Sequence, residues 1–198
     1  KNKYEKSIEV KEKENFDNYL KIIIKQINQI ENLVNEFSDF ARMPKPIFNQ
    51  NKIVEIVKNN ISLLSEVDKS ISIKFNYNKE DLLIKCDNEQ ISRVFFNLIK
   101  NSIESIQEKS KKNGDFAKII DIEIIDKNDY ITLNITDNGT GFSKDIIKNI
   151  IKPYFTTKSK GSGLGLSIVN KIINDHNGSI KFNSNKNDAK VEIVLPKN

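Results

Sequence analysis

Three short stretches of this sequence hold residues whose types and spacing suit ligand chemistry. In the first, Asp137 continues the every-second-residue phase of Ile131, Leu133 and Ile135, which directs its carboxylate toward an apolar layer at a strand's end. A carboxylate in such a place is costly unless donors reach it. Asn138-Gly139-Thr140-Gly141 follows, a composition that lets a ligand approach the backbone closely. An aspartate acceptor there suits the exocyclic amine of adenine and repels the carbonyl of guanine. Asp-Asn-Gly is also an ordinary turn sequence, and both readings stand on these residues alone. In the second stretch, Asn97 and Asn101 lie four residues apart on a helix, hence on one face, beside an apolar stripe of Ile91, Val94, Phe95, Leu98 and Ile99. Neutral amide oxygens suit Mg²⁺, which takes oxygen ligands and draws much of its negative charge from substrate phosphates. They equally suit the polar boundary of an amphipathic helix. The third stretch, Gly161-Ser162-Gly163-Leu164-Gly165-Leu166, opens a helix whose free amides and positive end can hold phosphates, or gives that helix a flexible entry. Lys158 and Lys160 just upstream are within reach of the same phosphates. The spacing is not that of GxGxxG directly after a strand, and GxxxxGK(S/T) occurs nowhere, so dinucleotide-binding and P-loop readings lose their support.

The elements that must position these residues follow from periodicity. Apolar residues at Phe16, Leu20, Ile23, Ile27, Ile30, Val34, Phe37 and Ala41 step by four and three, the pattern of a heptad seam. Roughly 27 residues at 1.5 Å rise give a helix of about 40 Å. Ile24, Leu33 and Phe40 widen its stripe beyond a two-stranded coil, so it calls for several helical partners, and a homodimeric four-helix bundle completes it. Pro44 and Pro46 stop that helix. Beyond them the pattern predicts helices over 52–67, 87–109, 144–151 and 164–175, with Asp87 as N-cap of the second. Strands are predicted over 71–77, 82–86, 120–124, 131–136, 180–183 and 191–195. Residues 108–115 read as a low-complexity loop. This is an α+β chain, a two-layer α/β sandwich preceded by a long helix of a dimeric bundle. It divides into a bundle segment 1–43, a linker 44–50 and a second domain 51–198.

Composition bounds the rest. A chain of 198 residues, 37% hydrophobic and 30% charged, makes one domain with an appendage. One Cys, one His and no Trp exclude a disulfide framework, a Cys/His zinc site and a multi-histidine centre within one copy. The net charge of +5 comes from lysines spread along the chain with no arginine-rich run, a solvated basic surface that implies no nucleic-acid partner. Apolar runs are no longer than Ile22-Ile23-Ile24, so no membrane contact is expected of these residues. The start at Lys1 rather than a methionine suggests a piece of something longer. His176, in Asp175-His176-Asn177-Gly178, suits a helix C-terminus that Gly178 ends.

Taken in order, the three stretches resemble the ATP-binding domain, the Bergerat fold, shared by sensor histidine kinases, gyrase-type topoisomerases, the ninety-kilodalton heat-shock chaperone and mismatch-repair ATPases. Residues 89–101, ending Asn97-Leu98-Ile99-Lys100-Asn101, look like the family's asparagine box. Asp137-Asn138-Gly139-Thr140-Gly141 looks like its first glycine box, Pro153-Tyr154-Phe155-Thr156-Thr157-Lys158 its phenylalanine box, and Gly161 to Leu166 its second glycine box. The resemblance covers 47–198. It implies ATP and Mg²⁺ as cofactors: Asn101 with Asn97 on the metal, Asp137 on the adenine amine near Gly139 and Gly141. Thr157, Lys158, Gly161, Gly163, Leu164, Gly165 and Leu166 would form a mobile cover over the phosphates. Catalytic roles fall to Asn97, Asn101 and Lys158.

Hydrolytic relatives carry a glutamate general base where this chain has Asn97, and an amide cannot take a proton from water. The resemblance therefore implies a kinase that transfers the γ-phosphate to a histidine. A hydrolytic ATPase and a non-catalytic dimerisation module are the alternatives. Glu104 departs from the basic residue that many sensor kinases place near the phosphates. The run Asn101-Ser102-Ile103-Glu104-Ser105 and the stretch from Phe37 to Pro46 resemble the nitrogen-regulatory sensor kinases. By that likeness the acceptor histidine lies on a missing upstream helix, so this chain binds ATP without phosphorylating itself. The same likeness implies a response-regulator receiver domain as partner and a place in the cytoplasmic portion of a membrane-anchored bacterial sensor.

Overall fold

The computed structural model describes residues 2–158, 161–185 and 188–198. Its elements in chain order are α1 (Asn2–Ala41), β1 (Asn49–Lys52), α2 (Ile53–Ser65), β2 (Ser72–Tyr77), β3 (Leu83–Cys86) and α3 (Asn88–Asn113). They continue with β4 (Ile119–Asp126), β5 (Tyr130–Asp137), α4 (Lys144–Ile147), α5 (Gly165–Asp175), β6 (Ser179–Asn185) and β7 (Asp188–Pro196). Five strands form one mixed sheet in the order β2-β4-β5-β7-β6, and β1 pairs with β3 in a separate ribbon. Strands β2 and β4 are parallel. A parallel pair needs a long crossover, and the crossover here carries β3 and α3.

Alternation decides which face of the sheet is covered. Ile122 pairs with Ile135 and Ile124 with Leu133 across β4 and β5, and all four are buried. The facing helices supply the complementary stripe: Ile53, Val57 and Leu64 of α2, Val94, Phe95, Ile99 and Ile106 of α3, and Ile168, Val169, Ile172 and Ile173 of α5. Each such side chain contributes about 1.5–3 kcal/mol on burial. The opposite face is polar, with Asn76, Asp121, Glu123 and Thr136 on adjacent strands. Inside the helical layer, the buried Asn60 donates through Nδ2 to the Ile56 carbonyl at 2.9 Å and to Ser92 Oγ at 2.9 Å, tying α2 to α3.

Helix α1 stands outside this core. Phe16, Ile23, Ile27, Ile30 and Val34 are each more than half exposed, so the heptad seam is open along its length. Phe37 stacks on Tyr154, with ring centroids 6.5 Å apart and planes 28° apart. After Pro44 the chain is pinned to the start of α3: Gln90 Nε2 donates to the Pro44 carbonyl at 3.0 Å, and the Ile47 amide donates to Asp87 Oδ2 at 2.8 Å.

Several boundaries differ from the expectation for physical reasons. Strand β1, in the polar run Asn49-Gln50-Asn51-Lys52, has no apolar alternation and exists because β3 pairs with it. Helix α3 continues through the supposed loop to Asn113, with Lys111 and Lys112 favourably placed in its last turn. Helix α4 is one turn, Lys144–Ile147, rather than a helix to 151. At the end of α5, where Gly178 is expected to end the helix, Asn177 takes the left-handed conformation (φ 57°). The Gly178 amide bonds the Ile173 carbonyl at 2.8 Å and the Asn177 amide that of Asn174 at 2.9 Å, the paired bonds of a Schellman ending. Gly178 is required for another reason, since a Cβ there would lie 2.6 Å from the Val194 carbonyl oxygen.

Candidate functional site

The site lies where the end of β5, the middle of α3 and the entry to α5 meet. Asp137 closes β5, paired with Ile120 on one side and Ala189 on the other, and is 6% exposed. As the phase of the strand predicts, its carboxylate reaches the helical layer. Ser102 Oγ donates to Oδ2 at 2.9 Å and the Gly139 amide to Oδ1 at 3.0 Å. Burial pushes the Asp137 carboxyl above its ordinary value, against the lowering pull of the Gly139 amide, the Ser102 and Ser105 hydroxyls and the Lys158 ammonium. An ionised carboxylate has about four acceptor sites, so these donors leave it further acceptor capacity.

The turn after it is braced by α3 and by β4. Ser105 Oγ accepts from the Thr140 amide at 3.0 Å. Asn138 accepts the Ile119 amide at 3.0 Å and donates to the Ala117 carbonyl at 2.5 Å. A Cβ at Gly139 would fall 2.8 Å from the Ser105 backbone carbon, so only glycine fits between strand and helix. Gly141 (φ 69°) supplies the left-handed residue of the turn.

One turn of helix separates Asn97 from Asn101, both partly buried on α3. Asn97 Nδ2 donates to the Arg93 carbonyl at 2.9 Å, and its Oδ1 would lie 3.2 Å from a Cβ placed on Gly165. That contact brings the asparagine ridge and the entry of α5 together. Asn101 Oδ1 accepts from Lys158 Nζ at 2.9 Å, and the same ammonium donates to Glu104 Oε2 at 2.5 Å. Two amide side chains one helical turn apart, one of whose oxygens already faces a cation, supply the kind of oxygen donor that Mg²⁺ takes.

The side expected to hold phosphates is built from turns. Tyr154 is held at φ 65° and Gly163 at φ 72°. A Cβ on Gly163 would lie 2.5 Å from the Tyr154 carbonyl carbon, and one on Gly161 2.7 Å from Thr156 Oγ1. The second glycine stretch thus packs on the backbone of Tyr154 and Phe155 and on the Thr156 side chain. Thr156 Oγ1 accepts the Lys158 amide at 3.0 Å, whereas Thr157 is exposed. Leu164 is fully buried and Leu166 packs on the core, so their side chains anchor the entry to α5. The helix's first amides, from Gly165 onward, are left for a ligand because the first intrahelical bond runs from Ile168 to Leu164. Lys160 lies outside the described residues.

Ser102 and Ser105 are site residues that motif reading passed over. Their signal is present in Asn101-Ser102-Ile103-Glu104-Ser105, two small hydroxyls three residues apart on the helix bearing the asparagines. Two other reactive side chains serve structure. His176 is buried, its Nε2 accepting the Asp87 amide at 3.0 Å, which places the ring proton on Nδ1 for the Ile172 carbonyl at 2.8 Å. Burial pushes the Cys86 thiol up to about 11, so it is no nucleophile.

A mixed sheet under one helical layer, with a buried aspartate at a strand end facing an asparagine ridge, is the architecture of an ATP-binding catalytic domain. Residues 86–198 match the family described as Histidine kinase-, DNA gyrase B-, and HSP90-like ATPase, and the chain belongs to that family. A relative in Rickettsia conorii, named an NtrY-like sensor histidine kinase, is 41% identical over 87% of this chain and 28% of its own length. The chain therefore spans under a third of that relative. The catalytic domain of the histidine kinase ThkA, in a nucleotide-free form, shares 28% identity at a TM-score of 0.68, covering 76% of this chain and 96% of that one. ThkA in complex with the response regulator TrrA aligns with 91% of this chain and 51% of its own at 25% identity and a TM-score of 0.72. Among the described residues no helix is long and apolar enough to cross a membrane.

Proposed function

We propose that this chain is the ATP-binding catalytic part of a two-component sensor histidine kinase, joined through a linker at 44–50 to the last helix of its dimerisation bundle at 1–43. Asp137 carries this reading: a buried carboxylate with unused acceptor capacity, set beside an asparagine ridge and a glycine-wrapped turn. Asp137 takes the adenine amine, and the tight turn at Gly139 and Gly141 lets the base approach. Asn101 and Asn97 offer amide oxygens to Mg²⁺, which when bound neutralises phosphate charge. Lys158, the amides of 161–166 and the Thr157 hydroxyl hold the phosphate chain. Asn97 cannot serve as general base for water, so the γ-phosphate is kept for an imidazole acceptor, and the work of the site is positioning.

The open heptad seam of α1 supports a homodimer through the bundle, and the likeness to ThkA in its complex with TrrA supports a response-regulator receiver domain as the next acceptor. Similarity to the NtrY-like kinases supports a place on the cytoplasmic side of a membrane-anchored bacterial sensor. Calorimetry with Mg-ATP and Mg-GTP tests the site: ATP binds, GTP does not, and Asp137→Asn abolishes the preference. The chain extended upstream to include an acceptor histidine becomes labelled by γ-labelled ATP at an acid-labile position. Binding of both nucleotides alike, or release of phosphate by the extended chain without labelling, overturns the reading.

A further inference from the structure

The Lys158 ammonium has two anchors on α3. Nζ donates to Asn101 Oδ1 at 2.9 Å and to Glu104 Oε2 at 2.5 Å, and the side chains of Lys158 and Glu104 are 32% and 37% exposed. Asn101 and Glu104 stand three residues apart, so their oxygens converge from one helix face on a single cation. The amide alone is a neutral acceptor, and the carboxylate makes the pairing an ion pair. The charge of Lys158 also draws the Asp137 carboxyl downward, so its ammonium is felt at that end of the site as well. A phosphate chain entering this space meets the Glu104 carboxylate and a lysine already committed to it. An ammonium has three donors, and two are spent.

We infer that Glu104 is a specificity-determining residue of this site: it parks the Lys158 ammonium on Asn101 until a phosphate chain takes that ammonium over. Nucleotide is then admitted by exchange of one anion for another. Ligands with enough phosphate charge to compete with the carboxylate are favoured, and weakly charged ones leave the lysine parked. The inference rests on the nucleotide-binding reading above, and its test separates the two.

The measurements are made on the full chain, wild type, Glu104→Gln, Lys158→Met and the double variant. Without nucleotide, amide hydrogen exchange at Phe155, Lys158 and Gly163 is faster in Glu104→Gln and in Lys158→Met, and the double variant exchanges no faster than Lys158→Met, because once the ammonium is gone Glu104 has nothing left to hold. In calorimetry, Glu104→Gln binds Mg-ATP about fivefold more tightly than wild type, the scale of a half-exposed ion pair, with a smaller gain for Mg-ADP and none for adenosine. Unchanged exchange in the single variants, or weaker Mg-ATP binding by Glu104→Gln, overturns the inference. A wild-type chain that binds no adenine nucleotide overturns the nucleotide reading instead, and the exchange data, taken without ligand, still report on the link.

Discussion

Asp137 and Lys158 mark the two ends of one site, and the structures that hold them have little in common. Asp137 sits within the sheet, paired on both sides, 6% exposed, with a donor on each oxygen. Lys158 belongs to a turn whose shape depends on Tyr154 and Gly163 in the left-handed region, and its ammonium is held at its tip by Asn101 and Glu104. The base end is built on elements that cannot move without disturbing the core, so its hydrogen bonds are set before ligand arrives. At the phosphate end, ion pairs can be exchanged. On the proposed reading, recognition of the base is therefore a matter of fixed geometry, and capture of the phosphates a matter of competition between anions.

The sharpest way to break this division is to remove each end in turn. Asp137→Asn should lose about 100-fold in affinity for Mg-ATP, the scale of a hydrogen bond to a charged group in a buried site, and calorimetry should show a similar loss for adenosine. Lys158→Met should weaken Mg-ATP about tenfold while leaving adenosine unchanged. Equal losses of adenosine in both variants would dissolve the distinction. The glycines make the same contrast through stability. Gly139→Ala forces a Cβ to within 2.8 Å of the Ser105 backbone carbon, an overpacking that costs about 1–3 kcal/mol in urea unfolding. Gly163→Ala meets backbone as closely and pays about 1–2 kcal/mol for a left-handed alanine. Its cost should appear mainly as faster hydrogen exchange at Phe155 and weaker Mg-ATP binding, with a smaller shift of the global unfolding midpoint than Gly139→Ala because a turn can open locally.

The same division explains what could be read from the residues. The placement of Asp137 was legible because it obeys a strand's two-residue phase, and that of Asn97 and Asn101 because they obey a helix's four-residue one. The sheet's inner face followed from Ile120, Ile122 and Ile124 in the same way. Contacts between elements have no period and were passed over: Ser102 and Ser105 act on residues 35 positions away. Strand β1 exists only through its partner, and at the end of α5 the left-handed residue is Asn177, while Gly178 is needed against Val194. The Glu104–Lys158 pair joins residues 54 apart in sequence. Glu104 stood out only as a departure from the basic residue of many sensor kinases, a difference whose meaning depends on where the loop places the lysine.

The smallest effect expected separates burial from binding at Asp137 itself. Because burial raises the folded-state pKa of this carboxyl above its ordinary value of 3.8, the protonated form is favoured in the folded chain. Its contribution to stability is fully present below the unfolded value and is lost as pH rises through the folded one. Asparagine at the same position does not titrate. In the absence of nucleotide, the unfolding midpoint of Asp137→Asn relative to wild type should therefore be higher at pH 8 than near pH 4, and the gap should close as wild-type Asp137 takes up its proton. With Mg-ATP the order at pH 8 should reverse, since only the wild-type carboxylate gains a donor from the base. A midpoint difference that does not vary with pH would mean that the Ser102 and Gly139 donors offset the burial of the carboxylate completely. The base end would then hold its aspartate without strain, and nucleotide would gain nothing by relieving it.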